Sequence, residues 1–125
     1  MVGAHLDSVP DGPGINDNGS GSAVILEIAL QLARIGNMWS PRQQLRFVWF
    51  GAEEVGLLGS RHYVRELEAS VDPDNGNRTG LDAVFANLNF DMLGSPNFAR
   101  FIYDGSGCTG DATRSCEAVQ RMFEE

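Results

Sequence analysis

The chain has 125 residues, of which 42% are hydrophobic and 21% are charged, and these values are typical of a globular domain of ordinary size. The formal net charge is -8, with only 9 lysine and arginine residues together, and this acidic balance excludes nucleic acid as an expected partner. No apolar run approaches the roughly 20 residues that cross a bilayer, so no membrane partner is expected either.

The apolar pattern predicts strands and helices in alternation. Ile25, Ile28 and Leu32 recur at helical spacing, and Gly36 is a typical helix stop. In chain order, the predicted elements are a strand ending at residue 4, a helix over 22–35, a strand over 45–50, a helix over 57–71, strands over 83–90 and 100–103, and a helix over 111–125. Alternating elements with apolar strands indicate an α/β fold with a mostly parallel sheet.

The two cysteines, Cys108 and Cys116, leave two interpretations open. They could form a disulfide that closes a small loop, as in an exported protein, or they could be two buried thiols. Their spacing does not match a zinc finger, either with each other or with the two histidines.

Polar residues suited to metal chemistry follow the predicted strands. His5 and Asp7 follow the first strand, and positions two apart share a face of an extended chain. Asp7 could therefore accept a hydrogen bond from one imidazole nitrogen while the other nitrogen faces a metal ion. A simple surface pair of histidine and carboxylate is the commoner meaning of this spacing.

Three further carboxylate positions have both an ordinary and a functional interpretation. Asp17, in the glycine-rich stretch before the first helix, could cap that helix or bridge two cations. Glu53 and Glu54 follow the second strand, where they could both face water, or one could bind a metal while the other acts as a general base. Asp91 follows the third strand as either a turn residue or a ligand.

The carboxyl ends of parallel strands meet at one edge of the sheet, which is where α/β proteins bind ligands. All these side chains are therefore expected to converge at one place. A mixture of histidine and carboxylate ligands suits Zn²⁺, so the sequence predicts a zinc site at this edge.

Four segments, GAHLDS, GINDNGSGSA, WFGAEEVGLLGS and NFDMLGSPN, are similar to the motifs of the clan MH zinc exopeptidases, metallopeptidase family M28 of the aminopeptidase S and aminopeptidase Y type. The resemblance extends from Gly3 to about Tyr103. It implies a three-layer αβα sandwich with a mostly parallel, mixed sheet, which is the zinc-exopeptidase (phosphorylase/hydrolase-like) fold. Residues 1–125 would be part of the catalytic domain, without its N-terminal strands and its C-terminal part.

The resemblance also implies a role for each site residue. A complete domain would hold two zinc ions, and the peptide bond between Asp17 and Asn18 would be cis. The implied roles are His5 and Asp91 on one zinc, Glu54 on the other, Asp17 between the two, Glu53 as general base, Asp7 orienting His5, and Met92 near the pocket for the first substrate side chain.

The function implied is hydrolysis of the N-terminal peptide bond of peptides with a free amino terminus, by a secreted protein that is a monomer when complete. Three alternatives share the fold: a carboxypeptidase or dipeptidase relative, a glutaminyl cyclase that uses one zinc, and a non-catalytic binding module. The family has one more ligand, a late histidine, and His62 does not match it. Because a parallel sheet without its flanking strands exposes edges and apolar faces, the isolated segment 1–125 is expected to fold poorly and to show little activity.

Overall fold

A computed structural model describes residues 1–36, 41–70, 80–97, 99, 101–102 and 113–124. Its regular elements are β1 (Val2–His5), α1 (Gly21–Ile35), β2 (Phe47–Phe50), α2 (Leu58–Ala69), β3 (Leu88–Asn89) and α3 (Thr113–Glu124), with a 3-10 turn at Gly80–Ala83. The predicted α/β class is confirmed. Within these residues, no helix combines the length and the apolar character that crossing a bilayer would need.

The sheet is parallel throughout its described part, with the order β2-β1-β3 and β1 in the centre. His5 pairs with Phe50 of β2, and Gly3 pairs with Asn89 of β3. Because the strands run in the same direction, Asp91 comes level with His5 two residues beyond the last pair. The register therefore brings the ends of all three strands to one edge, as the sequence predicts.

The two long helices next to the sheet cover opposite faces. Trp49 of β2 donates its indole N–H to the carbonyl oxygen of Ser22 in α1, at 3.3 Å. The next residue, Phe50, points to the other face, where its ring packs edge-on against Tyr63 of α2 with centroids 5.8 Å apart. The described part of the chain therefore has the three αβα layers that the sequence analysis expects.

The core of the described residues is small. Ala4 and Ile25 are its only fully buried hydrophobic side chains, and His5 and Asn18 are its buried polar ones. Full burial of one isoleucine contributes only about 1.5–3 kcal/mol, so this region gains little hydrophobic stabilisation by itself.

Some predicted elements differ from the structure. The strand predicted over 83–90 is shortened to Leu88–Asn89, because pairing with β1 begins only at Leu88 and the preceding Phe85 is largely exposed. Residues 101–102 are not in a strand, and residues 100 and 103 lie outside the described part. Cys116, in α3, is disulfide-bonded, whereas Cys108 lies outside the described residues.

Candidate metal centre

His5 is the last residue of the central strand, and it is almost completely buried, with 2% of its surface exposed. Its main-chain oxygen accepts a hydrogen bond from the Ser22 hydroxyl of α1, at 2.7 Å. Its Nδ1 lies 3.0 Å from the main-chain carbonyl oxygen of Asp7. A carbonyl can only accept, so Nδ1 carries the hydrogen and Nε2 presents a lone pair. This is the tautomer that binds a metal ion through Nε2.

Carboxylates from three other segments surround His5 Nε2. It lies 3.1 Å from an oxygen of Asp17, 3.4 Å from an oxygen of Asp91 and 3.9 Å from an oxygen of Glu53. Ligand atoms of His5, Asp17 and Glu54 all lie within 4.8 Å of one another. The structure thus brings together the five side chains that the sequence analysis selects around the metal.

Two buried atoms of this cluster make no hydrogen bond within the described part of the chain: Nε2 of His5 and Oε1 of Glu54. Buried polar atoms almost always have a partner. Both atoms offer lone pairs, and both face a crowded group of acceptors. A divalent cation is the partner that would satisfy them together, and histidine with carboxylates is a donor set suited to zinc. The residues present therefore fit the metal that the family implies.

Two acidic residues of the cluster, Glu54 and Asp91, are held in an environment that opposes their ionisation. Burial raises the pKa of Glu54, and the charges of Asp17 and Glu53 raise it further. Burial also raises the pKa of Asp91 and outweighs the opposing charge of His5, and the charge of Asp17 adds to the rise. Without a cation, the cluster therefore favours protons on groups that bind a metal only when deprotonated.

The same carboxylates favour the positively charged form of His5. Burial lowers its pKa, but the negative charge of Asp91, the hydrogen bond to the Asp7 carbonyl and the charges of Glu53 and Asp17 raise it overall. The field at His5 Nε2 therefore attracts positive charge. A proton and a metal ion compete for this one position.

The carboxylate of Asp7 has a different partner from the one expected. It accepts hydrogen bonds from the main-chain N–H groups of Glu53 and Glu54, at 3.0 and 3.2 Å. Its nearer oxygen lies 3.6 Å from Nδ1 of His5. The structure therefore corrects the sequence-based expectation: the Asp7 carbonyl, not its carboxylate, accepts the hydrogen bond from His5, because two backbone donors hold the carboxylate.

These donors also determine the ionisation of Asp7. Burial raises its pKa, but the hydrogen bonds from the Glu53 and Glu54 amides lower it below its usual value overall. Asp7 is thus the carboxylate of this region that is stabilised in its charged form. It joins the end of β1 to the turn after β2.

The turn that carries Glu53 is also closed by hydrogen bonds from the residues just before α2. The Glu53 carbonyl oxygen accepts hydrogen bonds from the N–H groups of Gly56 and Leu57, both at 2.9 Å. Ala52 and Leu57, on either side of the two glutamates, have φ angles of 56° and 60°, a left-handed conformation uncommon for residues with a Cβ. Such strained positions persist only where the surroundings fix them, and they cluster at functional sites.

Two outcomes concern residues at the margin of the cluster. The Asp17–Asn18 peptide bond is cis, as the resemblance implies. His62 is exposed on α2 and is not in the metal-binding group of the described residues. Asn18 is not among the predicted site residues, although its amide is among the most buried polar groups described. Its position directly after a predicted ligand is the only sequence signal that could have identified it.

Replacing Asp7 by alanine is expected to lower the free energy of unfolding by about 2–3 kcal/mol, because two backbone N–H groups lose a charged acceptor. The free energy of unfolding of Asp7→Asn should lie between those of the wild type and Asp7→Ala, since the amide retains one acceptor oxygen. Urea unfolding of the metal-free full-length protein would measure this. Asp11→Ala, an exposed aspartate of the same loop, is the matched control. Equal stability of the Asp7 and Asp11 variants would show that these hydrogen bonds contribute nothing.

Comparison with known proteins agrees with this geometry. The sequence profile of Peptidase family M28 matches residues 1–124. The chain is 51% identical to an aminopeptidase of Pseudomonas aeruginosa (strain UCBPP-PA14) over 126 residues, which cover 99% of this chain and 21% of that protein. It is 52% identical to leupeptin-inactivating enzyme 1 of Streptomyces exfoliatus over 104 residues, 83% of this chain and 21% of the relative.

A fungal relative gives the same result. Leucine aminopeptidase 2 of Trichophyton rubrum is 49% identical over 127 residues, which cover 100% of this chain and 23% of that protein. The chain therefore spans about a fifth of the length of these relatives, between 21% and 23%. Since the family profile covers almost every residue, including each of the strand ends that converge on His5, this chain belongs to Peptidase family M28.

Proposed function

We propose that the protein containing this chain is an aminopeptidase that hydrolyses the N-terminal peptide bond of peptides with a pair of zinc ions. The observation that carries the proposal is the cluster in which buried Nε2 of His5 and buried Oε1 of Glu54 lack hydrogen bonds. The relatives from P. aeruginosa and T. rubrum are themselves named aminopeptidases, which supports the reaction class. The chain would form part of a larger peptidase catalytic domain.

In this proposal, His5 and Asp91 would hold one zinc ion, Glu54 would hold the other, and Asp17 would bind both. The short distances from His5 Nε2 to Asp17 and Asp91 support a zinc ion shared by these three residues. When bound, such a pair supplies Lewis-acid chemistry that lowers the pKa of a water molecule and polarises the carbonyl to be attacked.

Glu53 is the proposed general base. Its carboxylate borders the cluster at 3.9 Å from His5 Nε2, yet its side chain remains 33% exposed, so a substrate and a water molecule can reach it. It would accept a proton from the attacking water and deliver that proton to the leaving amine. Its N–H donates to Asp7, and its carbonyl oxygen accepts hydrogen bonds from Gly56 and Leu57, so the backbone from which it acts is fixed on both sides.

The proposed substrate is a peptide with a free amino terminus. Its α-amino group would be held by carboxylates at the site. Met92 follows Asp91 directly and is half exposed, so it is the proposed contact for the first substrate side chain. The disulfide of Cys116 is typical of an oxidising compartment, and we therefore propose that the protein is secreted.

Metal removal tests this proposal. The full-length protein should hydrolyse an aminoacyl arylamide that has a free amino group, lose that activity in a chelator, and regain it with two equivalents of zinc per chain. The same substrate with an acetylated amino group is the control, and it should not be cleaved. Full activity after exhaustive chelation would contradict the zinc mechanism, and equal cleavage of the acetylated substrate would contradict the aminopeptidase assignment.

A further inference from the structure

Asn18 lies directly between two segments that carry proposed zinc ligands. It follows Asp17 in sequence, and it is 2% exposed, which makes it one of the largest fully buried side chains in the described residues. A buried primary amide needs partners for both its oxygen and its nitrogen. The hydrogen-bond partners of the Asn18 amide therefore indicate the role of this side chain.

The Asn18 amide bonds to the main chain on both sides of Asp91. Its Nδ2 donates to the carbonyl oxygen of Phe90 at 2.9 Å. Its Oδ1 accepts from the N–H of Met92 at 3.4 Å and from the N–H of Gly21, the first residue of α1, at 2.9 Å. One side chain thus fixes the residues before and after Asp91 relative to Asp17 and to the start of α1.

The packing around this amide leaves no room for adjustment. A Cβ at Gly21 would lie 2.3 Å from Asn18 Oδ1 and 2.4 Å from the Phe90 carbonyl oxygen, both far inside contact distance. Glycine is therefore required at that position for the two segments to approach. A second, more exposed hydrogen bond links the same two segments: Oδ1 of Asn16 accepts from the N–H of Gly94 at 2.9 Å.

We propose that Asn18 is a positioning residue that sets the separation of Asp17 and Asp91, and so the geometry of the two carboxylates at the zinc that His5 shares with them. The proposal rests on the proposed function for the identity of the metal. Asn18 touches neither the metal nor the substrate in this assignment. It acts through the main chain on either side of Asp91, since two of its three hydrogen bonds are to Phe90 and Met92.

Side-chain chemistry makes the role specific to asparagine. Aspartate would retain the acceptor for the Gly21 and Met92 amides, but it could not donate to the Phe90 carbonyl. Alanine would remove all three of these hydrogen bonds. The zinc affinity of the site should therefore fall in the order asparagine, aspartate, alanine, because loosely held ligands bind a metal less tightly.

The test is zinc titration of the full-length protein and its variants, at a temperature where each is folded by circular dichroism. Asn18→Ala should weaken binding of one of the two zinc equivalents by about 10- to 100-fold, and Asn18→Asp should weaken it less. The visible spectrum of the cobalt-substituted protein should change in both. Asn87→Ala, an exposed asparagine just before β3, is the control and should leave affinity and spectrum unchanged.

A purely structural role would lower the unfolding temperature without altering zinc affinity or the cobalt spectrum, and that result would overturn the proposal. If Asn18→Ala does not fold, the Asn18→Asp titration decides, since that variant retains two of the three hydrogen bonds. Wild-type affinity in Asn18→Asp would then overturn the proposal, while the aminopeptidase assignment would stand. A wild-type protein that binds no zinc would overturn both.

Discussion

Replacing Glu53 by glutamine is expected to lower kcat of the full-length protein by about 100- to 10,000-fold, the contribution typical of a positioned general base. Glutamine has the same size, and its main-chain N–H can still donate to Asp7. It cannot take a proton from water at neutral pH. The loss should therefore appear in kcat, while the zinc content and the fold remain those of the wild type.

Glu66→Gln provides the matched control, because it makes the same atomic change at an exposed position of α2. Turnover of an aminoacyl arylamide and metal content should be measured on both variants. Glu53→Gln with normal turnover would remove Glu53 as the base. Loss of zinc from this variant would instead make Glu53 a ligand. A protein that binds zinc and peptide but has no turnover even in the wild type would favour the binding-module alternative.

The position of the site could be predicted from sequence because it depends on topology alone. Apolar runs identified strands, alternation with helices indicated a parallel sheet, and a parallel sheet brings its strand ends to one edge. His5 and Asp91 therefore had to lie close together once their strands were neighbours, and the register confirms this. This inference needed no knowledge of any side-chain contact.

The connections within the site could not be predicted in the same way. The partners of the Asp7 carboxylate are main-chain amides 46 and 47 residues away, and those of the Asn18 amide include Phe90, 72 residues away. Every residue has a main-chain amide and carbonyl, so no residue type marks these partners. Proximity in the sequence favoured His5 as the partner of Asp7, whereas the folded chain offered two better donors.

A further variant should separate the metal function of the cluster from its stability. Replacing Glu54 by glutamine is expected to weaken zinc binding by at least about 100-fold, beyond the range seen when only a group supporting a ligand is lost. The same change should make the metal-free protein more stable at neutral pH. Burial and the charges of Asp17 and Glu53 raise the pKa of Glu54 in the folded protein, so its ionised form is disfavoured there.

The size of this stability effect depends on pH. A carboxyl group whose pKa is raised by folding destabilises the native state when ionised, and this penalty disappears as the pH falls through the raised pKa. Glu54→Gln should therefore exceed the wild type in unfolding free energy at pH 7, and the difference should shrink toward acid pH as Glu54 becomes protonated. With zinc present at neutral pH, the wild type should instead have the higher unfolding free energy, because only the wild type gains the full stabilisation from bound zinc.

Urea unfolding of metal-free and zinc-loaded full-length protein, at neutral and acid pH, would measure all of these differences. Glu68→Gln, at an exposed position of α2, controls for the loss of one negative charge from the whole molecule. If metal-free Glu54→Gln were no more stable than Glu68→Gln, the repulsion inferred at the cluster would be absent. Glu54 is expected to have opposite effects on the stability of the zinc-loaded and the metal-free protein for one reason. Carboxylates that are close enough to bind cations repel one another when no cation is bound, so each ligand stabilises the loaded site and destabilises the empty one.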